Sequence, residues 1–492
     1  MGVNEASRTK NWYTLWTSSA TNLILLASAW IVLLFALSPL LGIPWASLGD
    51  FNFRTLMYYH AIMLPLVGIL ICIVSLLMNV GGDVKRLLQY SLIPAIVLAG
   101  IGSLFIYSIS DTVPLWMQIF GFLVLDEMAA SLIYGLLVMP RAQGIPYTKM
   151  GIGYIVVTTS VISAFLAAIV GHAAGVGVDW GFGWLPLVPG YISGLGVTGS
   201  DFTANLIGSH SHEMLPAVMG GIAALTMIYF GYKTAEGFRH WLADIGLWIM
   251  EIGVLAMSAA YIYSAVTDWS IPVMFASGPG GVNGLALDDI LTGFVGGGAL
   301  IGLVAIAFIP AERHEAKNKV LSARDPLRIS MLLSWVVAFI AIAGIGYPIE
   351  FNETYFGGGV PPPNGAVGYL HDLAFIRSHL LLGFFLMPIT AGILLAVDVV
   401  YRKASTAGYP HYVPPFAIVG MMLALIGEYI WVEYLNSIIF FVGFGILIFA
   451  LFLAALYLYT VRHQSDLPWE HGTVNAPAQK VEGRLDPHKP MD

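Results

Sequence analysis

The chain has 492 residues, of which 58% are hydrophobic and only 10% charged, against roughly 25% charged in a soluble domain. That composition excludes a water-soluble globular protein and places the chain in lipid. The net charge of −8 comes from acidic residues mostly in loops, so it implies no nucleic-acid partner. A single cysteine, Cys72, excludes a c-type haem attachment motif, dithiol chemistry and a two-cysteine copper centre within this chain.

Crossing a bilayer core takes about 20 apolar residues. In chain order, such stretches are expected at approximately 21–42, 56–80, 88–109, 114–139, 152–175, 204–231, 243–265, 289–310, 329–347, 374–400, 414–434 and 436–461. The polar N-terminal segment of about twenty residues does not suit a cleaved signal peptide. Its Met-Gly start reads as a myristoylation site, which twelve spans make redundant. Lys and Arg collect in alternate hydrophilic segments, as the positive-inside rule requires. Of the 21 basic residues only Arg54 and Arg377 fall on the other side. Both termini are therefore expected to be cytoplasmic, in a prokaryotic-type cell membrane. The expected architecture is an all-α integral membrane protein of about twelve helices. It comprises one membrane domain over residues 1–462 and a polar cytoplasmic tail, 463–492, too poor in apolar residues to form a core.

Spans two, six and ten lie four helices apart, and each carries His within its first one or two turns: FRTLMYYHAIMLPLVGIL, NLIGSHSHEMLPAVMGGIAAL and IRSHLLLGFFLMPITAGIL. Three copies of a four-helix unit would explain this spacing. Of the twelve His, seven lie in loops, helix ends or the tail, where solvated surface is the default. The other five, His60, His172, His210, His212 and His379, fall inside spans or at their outer ends. Polar groups at membrane depth need a partner or a task.

A single such His is as readily a hydrogen bond between helices; five at one level suit axial ligation of b-type haem. In His210-x-His212 the side chains are about 200° apart on a regular helix, so the two rings can each reach a different haem but not readily one metal. Arg54 and Arg377, just before His60 and His379, read as propionate partners or as bases snorkelling to lipid headgroups. Asp126 and Glu127 in span four and Glu251 in span seven have no Lys or Arg at their depth. They read either as protonated, hydrogen-bonded structural groups or as a proton path. Asp398 and Glu428, nearer span ends, are expected to face water.

These His segments resemble the haem-binding helices of the heme-copper oxidase superfamily, nitric oxide reductases included. FRTLMYYHAIMLPLVGIL resembles the family's second helix. SHSHEMLPAVMGGIAALTMIYFGY followed by FRHWLADIGLWIMEIGVLAM resembles its tenth and eleventh. The resemblance covers about 85 residues in two pieces. It implies that His60 and His212 are the axial pair of a low-spin haem and that His210 ligates a second. His60 and His212 are much closer in sequence than in that family. The copper-ligand segment and its His-His pair have no counterpart here. The second haem would then be capped by His379, or by His172.

Three functions follow as expectations. The first is a dihaem membrane cytochrome of a respiratory complex, with two b-type haems, passing electrons between quinol or a membrane partner and an outer-side cytochrome or copper protein, with further membrane subunits. The second is a terminal oxygen or nitric oxide reductase, with a non-haem metal held by residues such as His172, His379 and Glu213. The third is a twelve-helix secondary transporter.

Overall fold

In the computed structural model, the described residues are 26–27, 29–30, 53–105, 112–142, 150–177, 199–234, 237–266, 287–307, 326–346, 375–403, 410–429 and 433–461. Among them the secondary structure is wholly helical. The helices are α1 (Phe53–Leu77), α2 (Gly82–Phe105), α3 (Thr112–Ala142), α4 (Ile152–Gly177), α5 (Gly199–Tyr229), α6 (Phe238–Val266) and α7 (Leu287–Ala307). They continue with α8 (Pro326–Phe339), α9 (Met387–Lys403), α10 (Val413–Tyr429) and α11 (Glu433–Val461). A π-helical segment, Ile340–Gly346, extends α8, and a second, Phe375–Leu386, leads into α9.

Each sequence-predicted span from the second to the twelfth coincides with one of these helices. Only Leu26, Ala27, Ala29 and Trp30 of the first are among the described residues, and the 463–492 tail lies outside them. Nine of the described helices are long and apolar enough to cross a membrane. Their outward faces agree with a lipid solvent. On α3 the exposed stripe Val113, Trp116, Phe120, Leu123 and Tyr134 recurs at helical spacing, and on α6 so do Trp241, Trp248, Ile252 and Leu255. Apolar faces of this extent are stable against lipid tails and not against water. The protein is an integral membrane protein, helical throughout its described spans.

The three His-bearing segments form the inside of the bundle. Helices α1, α5 and α9 pack against one another, and residues 381–400, the end of the π-helical segment and most of α9, are buried throughout. Glycines let the backbones close up. A Cβ at Gly221 would fall 2.9 Å from Leu70 Cδ1, and one at Gly392 would run into Ile69.

Around this trio stand three pairs of neighbours in sequence, α2 with α3, α6 with α7 and α10 with α11, each in extensive contact. In every pair the backbones meet at glycine. A Cβ at Gly102 would lie 2.6 Å from the Pro114 carbonyl, one at Gly246 2.6 Å from the Gly298 carbonyl, and one at Gly420 2.5 Å from the Leu447 nitrogen. In lipid there is no hydrophobic drive to bring helices together, so such close van der Waals fit is what holds them.

One basic residue departs from its expected setting. Arg328 belongs to the loop chemistry of the positive-inside pattern, yet its side chain is only 1% exposed. It donates from Nη2 to the Ile306 carbonyl at 2.6 Å and lies over the Phe230 ring at 4.5 Å. Ile306 is in the last turn of α7, where carbonyls lack helical partners and the helix dipole favours a cation. Arg328→Met should lower stability by about 2–4 kcal/mol, through loss of a charged hydrogen bond and a desolvated cation–π contact. Unfolding by sodium dodecyl sulfate in mixed micelles measures this; an unchanged midpoint would show that the guanidinium contributes nothing.

Candidate functional site

At one end of the bundle, α1, α3, α4 and α5 bring three of the five predicted histidines together. The His60 and His210 rings lie with centroids 5.7 Å apart and planes 9° from parallel. Phe122 of α3 sits beside His60 (centroids 5.7 Å, 61°) and beside His172 (5.8 Å, 42°).

Two of these rings are held by their Nδ1 atoms. His210 Nδ1 lies 2.7 Å from the Ala167 carbonyl of α4. A carbonyl only accepts, so Nδ1 carries the proton and Nε2 keeps its lone pair. Gly171, one turn beyond Ala167, makes this approach possible, since a Cβ there would fall 2.5 Å from His210 Nδ1. His172 Nδ1 lies 2.9 Å from Asp126 Oδ2, both groups being mostly buried. Anchoring one imidazole nitrogen on a carbonyl or carboxylate and leaving the other for a metal is the usual support of a histidine ligand.

With metal–nitrogen bonds of about 2 Å, two imidazoles on one metal have centroids about 6 Å apart, close to the 5.7 Å between His60 and His210. The family resemblance implies a different pairing, His60 with His212. His212 is exposed and stacks on Tyr261 of α6 instead (5.7 Å, 15°). It is His210 that turns towards α1.

Of the set His172, His379 and Glu213, the described side chains are those of His172 and Glu213. His172 is engaged by Asp126, and Glu213 is fully buried, accepting a hydrogen bond from Ser163 Oγ at 3.3 Å. Among the described residues no group of three or more His, Cys, Asp or Glu is arranged to hold a metal ion. His379, Arg377 and Arg54 lie on described helical backbone; their side chains are outside the described residues.

The acidic residues separate into distinct roles. Asp126 has a partner, His172. Glu127, its neighbour, is exposed on the apolar outer stripe of α3. Glu251 is 3% exposed and accepts from Thr159 Oγ1 at 2.6 Å. Asp398, expected to face water, is instead fully buried on α9, in electrostatic contact with Tyr457 of α11. The central position of α9 carries it inside. The side chain of Glu428 lies outside the described residues.

Sequence reasoning passed over Thr159, Ser163 and Ser258, which join the carboxylates into a seam between α4, α5 and α6. Ser163 reaches both Glu213 and Ser258, and Thr159 reaches Glu251. The signal was in the spacing. On α4, positions 159, 163, 167 and 171 recur every four residues, which is one helix face. On α6, Asp244, Glu251 and Ser258 recur every seven, each step a rise of roughly 10 Å. At the far end of this face His240 Nε2 lies 3.2 Å from Asp244.

No protein-family model, no curated protein and no solved structure matches this chain.

Proposed function

We propose that the chain is a haem-bearing membrane cytochrome that carries electrons across part of a respiratory complex, with His60 and His210 as the axial ligands of one b-type haem. The observation that carries this is the near-parallel His60–His210 pair, with His210 Nδ1 fixed on the Ala167 carbonyl and Nε2 left as a ligand. When bound, the haem would supply one-electron chemistry. The protein's part is to present two imidazoles on helices that cannot separate, because α1 and α5 belong to the buried inner trio.

A second haem falls to His212 on the other side of α5, with His379 as its sequence-based partner and Arg54 and Arg377 as propionate bases. The polar seam through Glu213, Ser163, Ser258, Thr159 and Glu251 would move protons along α6 between His240–Asp244 and the histidine end. The glycine-packed pairs around three His-bearing helices support an arrangement of three four-helix units. Glu127, a carboxylate on a lipid-facing stripe, supports a further membrane subunit, since ionisable groups at this depth rarely face lipid alone.

Spectroscopy of the purified chain tests the reading. Pyridine haemochrome spectra should show two b-type haems per chain, with reduced absorbance bands unchanged by carbon monoxide. A preparation without haem absorbance would sink the redox reading, and a Soret band shifted by carbon monoxide would replace the carrier by a gas-binding reductase.

A further inference from the structure

Glu127 is the middle residue of α3. Thr112 and Ala142 each lie 15 residues away, about 22 Å at 1.5 Å per residue. A glutamate side chain is too short to reach water over that distance, as lysine and arginine do near helix ends. Glu127 is nevertheless exposed, on the least buried of the nine apolar spans among the described residues.

The exposed residues around it are ordered. From Val113 to Leu137 they step by three and four in strict alternation, through Phe120, Glu127 and Ala130. That is the 3.5-residue repeat with which one helix keeps a seam turned towards a second, and a lone polar residue in such a seam sets its register. Ala130, one turn from Glu127, leaves room for a neighbouring backbone, as small residues do between membrane helices.

The chemistry of the partner follows from charge. Every Lys and Arg of this chain lies at or near a span end. A second copy would therefore meet Glu127 with apolar groups or with its own Glu127. The complement is a base that another protein brings at mid-bilayer, where a carboxylate is paired rather than left to lipid.

We propose that the outer face of α3 docks a transmembrane helix of another subunit, with a Lys or Arg at its centre paired with Glu127. This rests on the further-subunit reading above, to which it gives a partner chemistry, and not on the haem. On the inner side of the same stretch, Phe122 lies beside His60 and Asp126 against His172. The partner would thus back the wall of the histidine site.

The test uses the full chain in its native membranes, with a benzophenone amino acid in place of Phe120 or, as control, of Trp248 on α6. Illumination should join position 120 to one other membrane protein, and peptide mass spectrometry should place the adduct on a span with Lys or Arg at its centre. Glu127→Gln should lower that yield about three- to tenfold. Glu127→Asp, which keeps the charge, should lower it much less, and products from position 248 should not change. Both variants, purified alone, should unfold in detergent at the midpoint of the unaltered chain. A lowered Glu127→Gln midpoint would give the carboxylate a role in the chain's own packing and overturn the proposal. So would adducts with lipid or a second copy only, a partner span without a base, or full yield in Glu127→Gln. Haem absorbance is read on the same membranes after purification. Its absence alongside the expected adduct would refute the haem reading and leave this one standing.

Discussion

His60→Ala and His210→Ala are expected to remove the same haem, leaving the other in place, whereas His212→Ala should remove the second and spare the first. The reason is geometric. His60 and His210 face each other at 5.7 Å, and His212 points to the opposite side of α5 against Tyr261. Haem content by haemochrome assay and the low-spin signals in electron paramagnetic resonance distinguish the two losses. If His60→Ala and His212→Ala proved to share one lost signal, the pairing implied by the oxidase resemblance would be right. The packing of α1 against α5 would then have been misjudged. Gly171→Ala should act like a milder His210 variant, because its new methyl group would displace the His210 ring from the Ala167 carbonyl.

The second large effect concerns two adjacent glycines of α7 that look alike in sequence. A Cβ at Gly298 would fall 2.5 Å from the Gly246 carbonyl of α6, whereas one at Gly297 meets nothing within 4 Å. Gly298→Ala forces two packed helices apart and should cost about 1–3 kcal/mol, the usual penalty for overfilling a close-packed site. Gly297→Ala removes a flexible residue from a helix interior and should be neutral or stabilising by up to about 1 kcal/mol. Detergent unfolding midpoints of the two variants should therefore move in different directions or by very different amounts. Equal shifts would mean that α6 and α7 do not meet at this backbone contact.

Much of the site was legible because hydropathy and helical periodicity act along the chain. Runs of about 20 apolar residues mark helices whatever their neighbours do, and the expected spans overlap the observed helices, with boundaries displaced by up to about six residues. The placement of His60, His172 and His210 at one end follows from the same count. What stayed hidden depends on how each helix is rotated about its own axis. Asp126 and Glu127 are adjacent in sequence, yet one meets His172 and the other faces outward. Asp398 was expected to face water because it lies near a span end, and Arg328 by its place in a basic hydrophilic segment; both are buried because their helices lie against others there.

By itself, then, the sequence determined that this is a bundle of apolar membrane helices, that three of them carry histidine four helices apart, and that His210 and His212 look in opposite directions. These are properties of single helices. Only the tertiary structure decided that the three histidine helices form the buried interior, that His60 meets His210, and that His172 is held by Asp126. Each of these is a relation between helices, set by which small residues allow two backbones to close and which polar groups find a partner across the gap; no pattern within one span contains that information.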